Sequence, residues 1–73
     1  MRTIEYATCT IFTTNGDTAP LDPVHLAALE LAGYSARSSP PANLFPYWTY
    51  TVDDAPAVAM LLRDLYGYQI RKI

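Results

Sequence analysis

One cysteine, one histidine and three isolated glycines leave this 73-residue chain short of the side chains that most site chemistries need. Cys9 has no partner for an internal disulfide, so no oxidised framework supplements the core, and a reducing, cytoplasmic setting is expected. A structural zinc site takes about four Cys, His or carboxylate ligands at set spacings. Cys9 and His25 stand 16 residues apart with no CxxC or HxxxH, so neither a metal nor another cofactor is expected. Gly16, Gly33 and Gly67 occur singly, which excludes the GxxxxGK[ST] and GxGxxG phosphate cradles. Cations are scarce as well: 5 Lys and Arg against 7 Asp and Glu give a net charge of −2. Sequence-independent binding to nucleic acid rests on several phosphate contacts, which five dispersed cations supply poorly. Direct nucleic-acid contact is therefore not expected. No stretch reaches the roughly 18 to 20 apolar residues that span a bilayer. The opening residues also lack the basic start and apolar run of a signal peptide, so no membrane or export role is expected.

What is present reads as a small folded unit. Hydrophobic residues make 51% of the chain and charged residues 16%, a composition too apolar for disorder. The length allows one domain, 1–73. A folded chain of this size buries only about 60% of its unfolded surface, and a deep cavity would consume scarce core.

Residues 2–14 are rich in β-branched and aromatic side chains. Ile4, Tyr6 and Phe12 share one parity, and Ala7, Cys9 and Ile11 the other. That pattern predicts one long central strand, or a strand that shifts face at a bulge. Asn15-Gly16-Asp17 ends it in a loop. Asp22-Pro23 then opens a helix, with Asp22 as N-cap, Val24, Ala28 and Leu31 at helical spacing, and Gly33 as its stop. The stretch 34–46, with Ser38-Ser39-Pro40-Pro41, excludes regular helix. Residues 47–52 alternate as a half-buried strand. Asp53 and Asp54 cap a second helix that tolerates Pro56 in its first turn. Val58, Leu61, Leu62 and Leu65 fall at i, i+3, i+4 and i+7, and Gly67 closes the helix. Tyr68 and Ile70, with Arg71 and Lys72, form a last short strand. The predicted fold is α+β, in β-α-β-α-β order, with a three-stranded sheet packed against two helices.

No catalytic residue is expected. His25 lies three residues after Asp22, and Cys9 is the one thiol, so a minimal enzyme would draw on these. A mid-strand thiol ordinarily behaves as a small buried hydrophobe, and cap-proximal polar residues are mostly structural. Asp53-Asp54 could split their pKa values as an acid–base pair, but capping is the simpler account of their position.

The informative excess is aromatic. One Trp, six Tyr and two Phe make 12% of the chain, and Phe45, Tyr47, Trp48 and Tyr50 fall within six residues. On an alternating strand Trp48 and Tyr50 point one way and Tyr47 the other. Trp48 and Tyr50 are assigned chiefly to the core, while Phe45, Tyr47 and Tyr34 are assigned to a contact surface. All five form the candidate partner-binding set. Either the 2–14 or the 47–52 strand is a candidate open edge for an extended peptide, unless the loop at 35–46 covers it.

The opening Met1-Arg2-Thr3-Ile4-Glu5-Tyr6, the ending Tyr66-Gly67-Tyr68-Gln69-Ile70-Arg71-Lys72-Ile73 and the total length give the chain a resemblance. It resembles the small RNA-polymerase-binding transcription regulators and antiterminators encoded by Xanthomonas phage. No diagnostic motif carries the likeness, and no site residue transfers with it. The resemblance implies a phage protein in the host cytoplasm that binds host RNA polymerase near the N-terminus of the β′ subunit. It would inhibit initiation and let the elongating enzyme pass terminators. Such a protein is expected to act as a monomer. The alternatives are another host-directed protein-binding inhibitor, a minimal enzyme using His25 and Asp22, or a structural oligomer.

Overall fold

Strand-forming residues near both ends of the sequence meet side by side, and this builds one border of the sheet. The computed structural model describes residues 2–14 and 19–73; the turn assigned to Asn15-Gly16-Asp17 lies outside them. The elements are β1 (Thr3–Tyr6), β2 (Thr10–Thr13), α1 (Pro23–Leu31), β3 (Arg37–Ser39), β4 (Thr49–Thr51), α2 (Ala55–Tyr66) and β5 (Gln69–Lys72). The sheet runs β3-β4-β2-β1-β5, with β5 parallel to β1 and the other neighbours antiparallel. The class is α+β with two helices, as the pattern predicts. The sheet, however, has five strands rather than three, and the order is β-β-α-β-β-α-β.

Two local events account for the extra strands. The single strand expected over 2–14 folds back at Ala7–Cys9, where Ala7 N–H donates to Thr10 O at 2.9 Å. The turn is pinned from outside: Val52 N–H donates to Cys9 O and Ala55 N–H to Thr8 O. Cys9 is consequently exposed in a turn and not a buried mid-strand thiol. In the stretch at 34–46, Arg37–Ser39 pairs with β4 before Pro40-Pro41 stops it. The strands proposed as open edges are interior, since β1, β2 and β4 all have two neighbours; β3 and β5 are the edges.

Asp22 and Asp54 are the N-caps, their carboxylates accepting from Val24 N–H and Ala57 N–H. Pro23 and Pro56 occupy first-turn positions, where a missing N–H costs nothing. Gly67 ends α2 in the left-handed region at φ 74°. A methyl group there would touch nothing within 4 Å, so only backbone strain opposes it. Gly67→Ala is expected to cost about 1–2 kcal/mol, read as a lower thermal midpoint.

Both helices lie on one face of the sheet. Ala55, Val58, Ala59 and Leu62 of α2 and Leu29 of α1 pack with Ile4, Ile11 and Tyr50 of the sheet, joined by Leu21, Val52 and Tyr68. The Tyr50 hydroxyl accepts the Leu21 N–H at 2.8 Å, so its polar end is satisfied inside the core. Leu61 is half-buried and Leu65 exposed, so the predicted α2 stripe is buried at Val58 and Leu62 only. The predicted α1 stripe is displaced further: Leu29 is buried, while Val24 and Leu31 face water. No helix among the described residues is long and apolar enough to cross a membrane.

Candidate functional site: an aromatic cradle on the open sheet face

Alternation sends every second residue of each strand to the face that no described helix covers. The register aligns one row of that face as Arg71, Glu5, Phe12, Thr49 and Ser39 across all five strands. Phe12 therefore stands near the middle of the open face. A reading of 2–14 as one strand puts Phe12 with Ile4, the wrong side. The fold-back at Ala7–Cys9 reverses its parity and pairs it with Glu5.

The loop between β3 and β4 builds the rest of the site. Ala42 and Phe45 exchange backbone hydrogen bonds at 2.9 and 3.0 Å, making a tight turn with Asn43 and Leu44 at its tip. That turn sets Phe45 beside Phe12, with ring centroids 5.6 Å apart. Tyr47 meets Phe45 edge-on at 5.1 Å and 86°. Glu5, Phe12, Thr13, Phe45, Tyr47 and Ile73 enclose a concavity of about 230 Å³. Arg71 donates through Nε and Nη2 to Glu5 Oε2, at 3.0 and 2.6 Å, and holds the carboxylate at the rim. Phe45 remains 45% exposed. The result is a fixed aromatic cradle with a polar lip, able to seat one apolar or aromatic side chain of a partner.

Of the five residues proposed from sequence, the fold brings Phe45 and Tyr47 together and separates the other three. Trp48 is half-buried against the core, its backbone N–H donating to the Thr13 hydroxyl. Tyr50 is 1% exposed and belongs wholly to the core. Tyr34 follows α1, packs against the core and donates its N–H to Leu29 O, away from the cradle. Phe12, Glu5 and Ile73 join the site without having been singled out. Only the turn at Ala7–Cys9 could have revealed Phe12, and no Gly, Pro or Asn marks it.

The residues considered for catalysis are engaged separately. Asp22 Oδ1 accepts from Val24 N–H, while His25 Nδ1 lies 2.8 Å from the Tyr68 hydroxyl. His25 also stacks on Tyr66 with centroids 3.7 Å apart. No hydrogen bond among the described residues joins His25 to Asp22 or to Cys9. Nor do three or more His, Cys, Asp or Glu side chains converge as metal ligands would among the described residues. The His25, Tyr66 and Tyr68 cluster instead fastens α1 to the junction of α2 and β5.

Burial pushes the Tyr68 phenol above its ordinary value, with the Arg2 guanidinium acting in the opposite direction. A phenol harder to ionise in the folded state gives stability that is complete below about pH 10 and lost as pH rises through the folded value. Tyr68→Phe is expected to flatten that alkaline decline, read from thermal midpoints across the range. At neutral pH the same variant loses its hydrogen bond to His25, at a cost of about 1 kcal/mol.

A second, more polar depression lies at the β3 edge, lined by Ser35, Ala36, Arg37, Thr51 and Asp53. None of these described residues is aromatic.

Comparison with protein-family models, curated proteins and solved structures finds no match to this chain.

Proposed function

We propose that the protein is a non-enzymatic regulator that binds host RNA polymerase near the N-terminus of the β′ subunit, inhibiting initiation and preventing termination. Two separate supports meet in this reading. The resemblance at the two ends of the chain supplies the partner, and the cradle of Phe12, Phe45 and Tyr47 supplies the surface. The cradle carries the docking part of the argument. Phe12 and Phe45 are held by backbone pairing, and Tyr47 by its edge-on contact with Phe45, on a sheet face that no described helix covers, where they offer contact area at small entropic cost. Phage origin and a host-cytoplasmic location are part of the same proposal.

The test is retention of purified host RNA polymerase by the immobilised full chain, alongside the Phe45→Ala/Tyr47→Ala variant. Wild-type protein is expected to retain polymerase, with β′ the subunit recovered by cross-linking. Failure to retain polymerase overturns the partner. Equal retention by the variant overturns the surface.

A further inference from the structure

A strand at the border of a sheet spends half of its backbone groups on its neighbour and turns the rest outward. The bonds already made decide which residues face out. In β5, Gln69 N–H donates to Arg2 O and Ile73 N–H to Tyr6 O, so Gln69, Arg71 and Ile73 turn toward β1. Ile70 and Lys72 therefore point both N–H and C=O away from the sheet, with no proline beside them. The opposite border offers less. Val52 N–H donates to Cys9 O and Thr13 N–H to Trp48 O, so Thr49 and Thr51 are left to face β3. Arg37 and Ser39 are spent on them, Ser38 alone of β3 points out, and Pro40 follows without an N–H.

We infer that β5 is a docking edge, on which an extended acidic segment of the partner adds as a sixth strand through Ile70 and Lys72. The partner's identity rests on the polymerase reading above. Charge selects the occupant. Both charged residues of β5 are cations, Arg71 and Lys72. Arg71 is engaged by Glu5, whereas the Lys72 ammonium forms no ion pair or hydrogen bond with a described residue. An added strand would lie about 4.8 Å away, which puts an Asp or Glu opposite Lys72 within reach of it. The β5 strand of a second copy would instead bring cations against cations. The charges that turn away another copy thus favour an acidic strand.

The edge also runs into the cradle. Ile73, next along from β5, lines the concavity with Phe45 and Tyr47, and Arg71 holds Glu5 at its lip. A segment paired with β5 therefore delivers the adjoining part of the same partner to the aromatic rings.

Purified host RNA polymerase and the immobilised full chain test this, with wild type, Lys72→Pro and Lys72→Ala compared. Lys72→Pro removes an outward donor and leaves the Arg71 and Ile73 positions to pair with β1, so its circular dichroism should persist. It is expected to weaken binding about tenfold or more. Lys72→Ala keeps the N–H and loses only the charge, so about threefold is expected, vanishing in about 0.5 M salt. Amide exchange of the wild type needs no variant: Ile70 and Lys72 should exchange freely alone and slow markedly in the complex. A wild type that retains no polymerase overturns the partner, and the docked segment with it. Retention with those two amides still exchanging freely, or with Lys72→Pro binding as wild type, keeps the partner and overturns the edge. Equal losses in the two variants overturn strand pairing, and Lys72→Ala without effect overturns the acidic segment.

Discussion

Tyr50→Ala is expected to unfold much of the protein at room temperature. Removing a buried aromatic ring costs about 3–5 kcal/mol. A chain of this length has a total stability of roughly 4–11 kcal/mol at the usual 0.05–0.15 kcal/mol per residue. Tyr50 is fully enclosed on β4, pairs with Ile11 across the sheet and satisfies the buried Leu21 N–H. The alanine variant therefore leaves both a cavity and an orphaned donor. Tyr50→Phe separates the two losses, because it keeps the ring and removes only the hydroxyl. Its expected cost is about 1–3 kcal/mol, that of an unsatisfied buried amide. Urea titration followed by the fluorescence of Trp48, which stacks on Tyr50 at 6.3 Å, reads both variants.

Replacing Phe45 and Tyr47 together is expected to remove partner binding while the fold persists. An aromatic anchor at the centre of an interface is commonly worth 2 kcal/mol or more, about 30-fold in affinity. Phe45 is half in water, so the folded state loses comparatively little, and circular dichroism should be unchanged. The two rings touch each other, and the single variants are expected to be non-additive, each disturbing the geometry of its neighbour. Surface plasmon resonance on the two single variants and the double variant measures that coupling. Affinity equal to wild type in all three would move the contact surface away from the cradle.

What the chain discloses in advance depends on how local the cause is. The helix caps at Asp22 and Asp54, the prolines after them and the stop at Gly67 act within one turn, and each is legible. So is the burial of Val58 and Leu62, which follows from helical spacing. The fold-back at Ala7–Cys9 is not legible, because Thr8 and Cys9 carry no turn preference. It is fixed by backbone bonds from Val52 and Ala55, far along the chain. One unseen turn moves Phe12 from the core side to the open face and brings Cys9 to the surface. Strand β3 is hidden for a similar reason. Arg37-Ser38-Ser39 has no apolar alternation and becomes a strand only through β4. In α1 both stripes are apolar, and periodicity alone selects the one the fold leaves outside. Of the site, the aromatic cluster after Pro-Pro is readable as composition. Its division between core and cradle follows from strand pairing, which puts Tyr50 inside, and from the Ala42–Phe45 turn, which sets Phe45 against Tyr47 outside.

The parallel pairing of β1 with β5 also bears on how the molecule assembles during synthesis. Gln69 N–H donates to Arg2 O, and Ile73 N–H to Tyr6 O, so a border of the sheet joins segments far apart along the chain. Contacts of such high sequence separation raise contact order and slow folding, because nearly the whole chain must be searched before they form. While a ribosome is still making the protein, β1 can pair with β2 but its other flank stays bare. Nascent chains therefore present a sticky strand until β5 has been made.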